Sequence, residues 1–139
     1  MQEEIWKDIE GYEGLYQIST VGRVKRVARY YTQYNGLTGK ENTHFLPEMI
    51  MKPFEDEDGY LRIQFIKNGH RKKHFVHRLV ALNFISNPDD KPEVNHVYGD
   101  KKDNRVENLE WVTSSENQRH ALANNLYQSA RGEDSGVSK

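Results

Sequence analysis

The chain has 139 residues, 29% of them charged, a formal net charge of -1 and no cysteine, with a mean hydropathy of -0.94. This fits one polar domain or two small lobes with a modest core, and it excludes disulfides, thiolate zinc sites and a cysteine nucleophile. No apolar run approaches the ~20 residues of a membrane helix. The opening MQEEIWKDIE has no basic region followed by an apolar one, so no secretory signal is expected and the setting reads as cytoplasmic.

Charge distribution says more than its sum. Residues 15–40 hold Arg23, Lys25, Arg26, Arg29 and Lys40 without an acid, and residues 59–88 hold Arg62, Lys67, Arg71, Lys72, Lys73 and Arg78, again without one. The acids collect at Glu3, Glu4, Asp8, Glu10 and Glu13 and in the run 55–58. Two acid-free basic blocks form a face suited to phosphates, although a solvated basic surface with no partner would leave the same trace.

In chain order, Leu15–Ser19 and Arg23–Val27 read as short strands turned by Thr20-Val21-Gly22. Residues 30–48 hold Tyr, Thr, Asn and Gly without a period and read as a loop. Gly59–Ile66 alternates strictly and reads as a strand, Asn68-Gly69 is a hairpin turn, and Lys72–Phe75 is its return strand. Apolar residues at 76, 79, 80, 82 and 84 predict a short buried helix over Val76–Phe84, and 87–90 predict a turn. A strand over Glu93–Tyr98, a loop over Gly99–Asn108 and a strand over Leu109–Val112 follow. Thr113 and Glu116 fit a capping box for a helix ending near Asn124 or Asn125, and the small polar tail beyond Tyr127 reads as a linker.

The stretch VNHVYGDKKDNRVENLEWVTSSENQRHA carries the chemistry. Asn95 precedes His96, Asn108 sits twelve residues past His96, and Asn117 lies nine further on. Helical spacing puts Asn117, His120 and Asn124 on one face, with Asn117 near the positive end of the helix dipole, where a phosphate is favoured. Asn95 and His96 would point to opposite faces of a regular strand, so a distortion is expected there. Asparagine oxygens are hard neutral donors suited to Mg²⁺ or Mn²⁺. His96 can take a proton from water at neutral pH, and Asn108 can lock the loop through backbone bonds and so orient the ring. Taken singly, each residue has an ordinary explanation as a surface histidine, a turn former or an exposed helical amide.

At these residues the chain resembles the HNH endonucleases, or ββα-metal nucleases, of the phage and intron homing type. The preceding FVHRLVALNFISNP and the N-terminal EIWKDIEGYEGLYQISTVGRVKR resemble, respectively, the lead-in to that motif and the NUMOD4 module found ahead of it. The resemblance implies an α+β protein with a NUMOD4-like DNA-binding module at 1–45, a hairpin region at 46–75, the nuclease core at 76–125 and a flexible tail at 126–139. It implies His96 as general base, Asn108 holding the loop, Asn95 and Asn117 as ligands of one divalent metal, and His120 near the scissile phosphate. Relatives often read His-Ile-Asp-Gly-Asn where this chain has His96-Val97-Tyr98-Gly99-Asp100.

The function so implied is metal-dependent hydrolysis of double-stranded DNA in a phage-infected host, with a nick as the natural product of a monomer or weak dimer. Arg23, Lys25, Arg26, Arg29, Arg62, Gln64, Lys67, Arg71, Lys72, Lys73 and Arg78 would contact the DNA. The competing expectations are a DNA-binding regulator on the same scaffold without cleavage, and an RNA- or protein-binding module built on the basic hairpin.

Overall fold

The computed structural model describes residues 3–120 and 122, so the helix end placed near Asn124 or Asn125 and the tail lie outside the described residues. The fold is α+β. Strands β1 (Trp6–Asp8), β2 (Tyr16–Ser19), β3 (Val24–Arg26) and β6 (Met49–Met51) form an antiparallel sheet in the order β1-β2-β3-β6. The two strands expected over 15–27 are thus present, in the register Tyr16↔Arg26 and Ile18↔Val24. Alternation turns Tyr16 and Ile18 inward, and both are buried.

The expected loop over 30–48 is instead a hairpin. Strand β4 (Arg29–Asn35) pairs with β5 (Lys40–Leu46) along seven residues, from Arg29↔Leu46 to Asn35↔Lys40. Its sequence shows no apolar alternation because neither face packs on the core: six of the seven residues of each strand are exposed. Cross-strand contacts hold it instead. Tyr30 meets Phe45 at 5.1 Å and Tyr31 stacks on His44 at 5.2 Å between ring centroids, and the Thr32 and Thr43 hydroxyls lie 3.3 Å apart. Asn35 closes the turn by accepting the N–H groups of Leu37 and Thr38 on Oδ1.

Strands β7 (Phe54–Glu55), β8 (Leu61–Lys67) and β9 (His70–Phe75) form a second sheet. The β8–β9 turn is the expected one, with Asn68 and Gly69 at φ 51° and 78°. Helix α1 (Val76–Phe84) has the predicted bounds and buries Val76, His77, Leu79, Val80 and Ala81. It packs against β2, β8, β9 and the two strands of the final hairpin, β10 (Glu93–His96) and β11 (Leu109–Val112). One continuous core joins Tyr16 and Ile18 of the first sheet, Ile63 and Phe65 of the second, Val80 of α1, and Val94 and Leu109 of the hairpin. Each such side chain contributes roughly 1.5–3 kcal/mol by leaving water. The helix α2 over 114–120 starts at the predicted capping box. The Thr113 N–H donates to Glu116 at 2.8 Å and the Glu116 N–H donates to the Thr113 hydroxyl at 3.2 Å. Among the described residues no helix is long and apolar enough to cross a membrane.

Candidate functional site

The β10–β11 hairpin and its loop position the chemistry. Asn108, at the end of a single 3₁₀ turn over Val106–Asn108, is fully buried. Its Oδ1 accepts the Tyr98 N–H at 2.7 Å, and its Nδ2 donates to the carbonyls of Asp103 at 2.7 Å and Asp100 at 3.4 Å. Its own carbonyl accepts the Val97 N–H at 2.7 Å. One amide therefore replaces the backbone partners that the loop cannot find within itself. These bonds reach backbone groups only, while Tyr98 is 71% exposed and meets the site through its N–H rather than its ring.

The distortion expected inside β10 is absent. Pairing runs regularly through Asn95↔Glu110 and His96↔Leu109, so the two neighbours do take opposite faces. The chain turns just beyond them, where Gly99 at φ 81° donates its N–H to the His96 carbonyl at 2.8 Å.

On one face His96 is 5% exposed, its ring 4.9 Å from that of His77 and 5.9 Å from that of Tyr60. Its Nε2–H donates to Asn104 Oδ1 at 2.8 Å. A carbonyl oxygen only accepts, so Nε2 carries the proton and Nδ1 keeps its lone pair. Burial pushes the His96 pKa down, against the opposing pull of the Asn104 bond and the carboxylates of Asp100 and Asp103, and the ring is a neutral imidazole near pH 7. Burial, with His96 and Arg78 nearby, pushes His77 down to about 3.

The other face belongs to α2. Glu93, two residues before Asn95 and on its side of the strand, accepts the Ser114 hydroxyl at 2.6 Å and Asn117 Nδ2 at 2.8 Å. These bonds hold its carboxyl below the usual range. Asn117 consequently turns its Oδ1 away from Glu93. His120 Nε2 donates to the Val97 carbonyl at 2.9 Å, so Asn117 and His120 are tied to opposite ends of the Glu93–Val97 segment that holds Asn95. Asn95 is buried, and its Nδ2 has no hydrogen-bond partner among the described residues. A half-turn of that amide would present a carbonyl oxygen instead. Among the described residues no three histidine or acidic side chains gather to hold a metal unaided. Asn95 shares a strand face with Glu93, and Asn117 bonds Glu93 through Nδ2; two amide oxygens and one carboxylate are donors of the hard kind that suits a divalent cation sharing its coordination with water and phosphate.

Two residues here escaped the sequence reading. Glu93 had a signal, since strand alternation puts it on the face of Asn95. Asn104 had none locally, because its burial comes from a contact far away in the chain.

The basic residues divide. Register places Arg62, Gln64, Arg71 and Lys73 on the solvent face of the β8–β9 sheet, with Lys67 and Lys72 on the other. Several cations are already engaged: Arg23 with Glu4, Lys25 with Glu48, Arg62 with Asp56, and Arg26 and Arg78 with the carbonyls of Pro47 and Pro92. Lys67 donates to the Gly11 carbonyl. Arg71, Lys72 and Lys73 are exposed, and Arg29 is half-buried at the base of the β4–β5 hairpin.

Known proteins resemble this chain over both of its parts. Residues 4–66 match the NUMOD4 motif and residues 74–119 match the HNH endonuclease family. An uncharacterized HNH endonuclease of Acanthamoeba polyphaga mimivirus is 42% identical over 90% of this chain and 28% of its own length. The DNA endonuclease I-HmuI of Bacillus phage SP01 is 37% identical over 85% of this chain and 58% of its own length. A structure described as DNA binding and cleavage by the HNH homing endonuclease I-HmuI superimposes with a TM-score of 0.60 at 35% identity, covering 94% of this chain and 61% of that one. The chain thus spans between about a quarter and three fifths of the length of these relatives. With both motifs in order on one shared core, the chain carries an HNH endonuclease domain behind an N-terminal NUMOD4 motif.

Proposed function

We propose that this chain is a metal-dependent DNA endonuclease that hydrolyses one phosphodiester per site and nicks duplex DNA. The observation that carries the reading is His96, held as a neutral imidazole with Nδ1 unprotonated on a strand whose other face carries Asn95. Among the described residues β10 pairs with β11 alone. A phosphate lying along the open edge of β10 would meet side chains from both faces at once.

His96 Nδ1 takes a proton from water, which attacks phosphorus in line with the leaving 3′ oxygen. Asn95 and Asn117 would hold Mg²⁺ or Mn²⁺, which would supply positive charge to offset that of the phosphate. Glu93 fixes the Asn117 amide so that its oxygen is the end offered, and its carboxylate adds the charge that the two neutral amides lack. Asn108 keeps the loop in place, and His120, anchored on the Val97 carbonyl, lies beside the same phosphate.

Arg71 and Lys73, with Arg62 and Gln64, supply a DNA surface on the solvent face of the β8–β9 sheet, and exposed Lys72 adds its charge from the opposite face. The exposed aromatic β4–β5 ribbon has the cross-section that a major groove admits. On this reading 1–45 and 46–75 grip DNA while 76–125 cut it, although all three segments share one core. The test is a supercoiled plasmid incubated with Mg²⁺ or Mn²⁺. Open circles should form, and EDTA and His96→Ala should each abolish them. Binding without a cut under every metal would overturn the reading in favour of a regulator on this scaffold.

A further inference from the structure

We propose that Asn104 is the positioning residue of His96, and that the N-terminal turn Thr20-Val21-Gly22 is the seat that holds it there. The proposal rests on the reading of His96 as the base.

A loop asparagine ordinarily faces water. Asn104 is only 4% exposed, and it is the N-terminal sheet that covers it. Gly22, at φ 87°, lies so close that an added Cβ would stand 2.9 Å from Asn104 Cβ and 3.0 Å from its carbonyl oxygen. Two residues on, the Val106 N–H donates to the Thr20 carbonyl at 2.9 Å. The turn between β2 and β3 therefore pins the loop from behind, with Asn104 gripped directly, and aims Oδ1 at His96 Nε2.

This aim has a chemical consequence. A neutral imidazole exchanges its proton between two nitrogens, and only the tautomer with an unprotonated Nδ1 can accept a proton there. A fixed acceptor at Nε2 selects that tautomer and stops the ring from rotating. Asn108 bonds backbone groups, so it shapes the loop, while Asn104 sets the ring. The N-terminal module thereby takes part in assembling the nuclease site as well as in gripping DNA.

Ring ¹⁵N NMR of the metal-free full chain, at a pH well above the histidine range, reads the tautomer directly. The wild type should show His96 as a single Nε2–H form. Asn104→Leu, of similar volume but without an acceptor, should show a mixture of tautomers. Its kcat for nicking should fall roughly 10- to 100-fold with KM for DNA little changed. Asn104→Asp keeps an acceptor oxygen and should restore the single tautomer and most of kcat. Gly22→Ala, checked for folding by its melting curve, should shift the tautomer in the same direction as Asn104→Leu.

A folded Asn104→Leu protein that keeps a single Nε2–H tautomer, or keeps wild-type kcat, overturns the proposal. So does an Asn104→Asp protein that restores neither. Nicking that survives His96→Ala strikes the assignment of the base instead, and the tautomer measurement still decides the role of Asn104.

Discussion

Two hairpins in this molecule are built on opposite terms. The β4–β5 ribbon is the longer, with seven pairs, and is exposed almost throughout. The β10–β11 hairpin has four pairs, yet Val94, Asn95 and His96 on one strand and Leu109 and Val112 on the other are buried. The long ribbon is held by its own ladder and cross-strand side chains. The short one is held by α1, α2, a buried amide and a turn from the N-terminal sheet. Chemistry that needs side chains fixed to a fraction of an ångström belongs on the second kind, and surface that must follow the shape of a partner belongs on the first. The comparison can be broken by attacking what holds each hairpin.

The largest effect is expected at Asn108. Asn108→Ala leaves the Tyr98 N–H and the Asp103 and Asp100 carbonyls without their partner. At about 1–3 kcal/mol for each of the three groups left unpaired, the loss is roughly 3–9 kcal/mol. Chemical denaturation should show it as a lower midpoint with an unchanged slope. A loss under about 1 kcal/mol would mean that water replaces the amide and that the loop is not built around it.

The next effect is pH dependence. His77 sits under the hairpin, with its Nδ1 buried and unpartnered among the described residues, and is held neutral down to about 3 against an ordinary 6.5. Below pH ~6.5 the unfolded chain takes up this proton before the folded chain does, so the stability is present in full above that pH and falls as the pH drops towards 3. The linked loss is roughly 3–5 kcal/mol across that window. Melting temperatures of the metal-free protein should decline from pH 7 to pH 4, and His77→Leu should flatten the decline. An equal slope in the variant would assign the acid sensitivity to other groups.

The two hairpins also differ in how far they could be read from the sequence. Wherever a local pattern carried the information, the reading held: the spacing of Val76, Leu79 and Val80 gave α1, Asn68-Gly69 gave the β8–β9 turn, and Thr113 with Glu116 gave the start of α2. The β4–β5 ribbon was missed because alternation marks a strand only when one face is buried, and here neither is. The backbone bonds of Asn108 follow from an amide beside a tight loop. Asn104 differs, because nothing around it in the chain announces that Gly22 will cover it. Local pattern thus found the elements of the site, and tertiary contact decided which asparagine meets the histidine.

A smaller effect is expected at the capping box. Thr113→Ala removes an acceptor from the Glu116 N–H and should cost about 1 kcal/mol. Glu116 also bonds the Thr113 N–H and pairs with Lys91, so Glu116→Ala should cost a little more. Either change frays the first turn of α2, where Ser114 and Asn117 bond Glu93. The concentration of Mg²⁺ or Mn²⁺ giving half-maximal nicking should therefore rise while the melting temperature falls only slightly. If metal response and stability change in strict proportion, the cap serves the fold alone.

The smallest effect on stability is expected on the ribbon. Tyr30 and Tyr34 are 72% and 65% exposed, and register puts them on one face with Phe45. Replacing both with serine removes the Tyr30–Phe45 ring contact and little else, a change of about 0.5–1 kcal/mol at most. DNA affinity should nonetheless drop several-fold, with the nicking rate at saturating DNA unchanged, because the altered surface lies away from His96. The salt dependence of binding should stay as it was, since no cation is lost. By contrast, Arg71→Ala with Lys73→Ala, on one face of the sheet, should weaken binding and also flatten its salt dependence, as removal of phosphate contacts does. If the two tyrosines prove silent in binding, the ribbon is no DNA surface, and the exposed cations of β9 carry the grip without it.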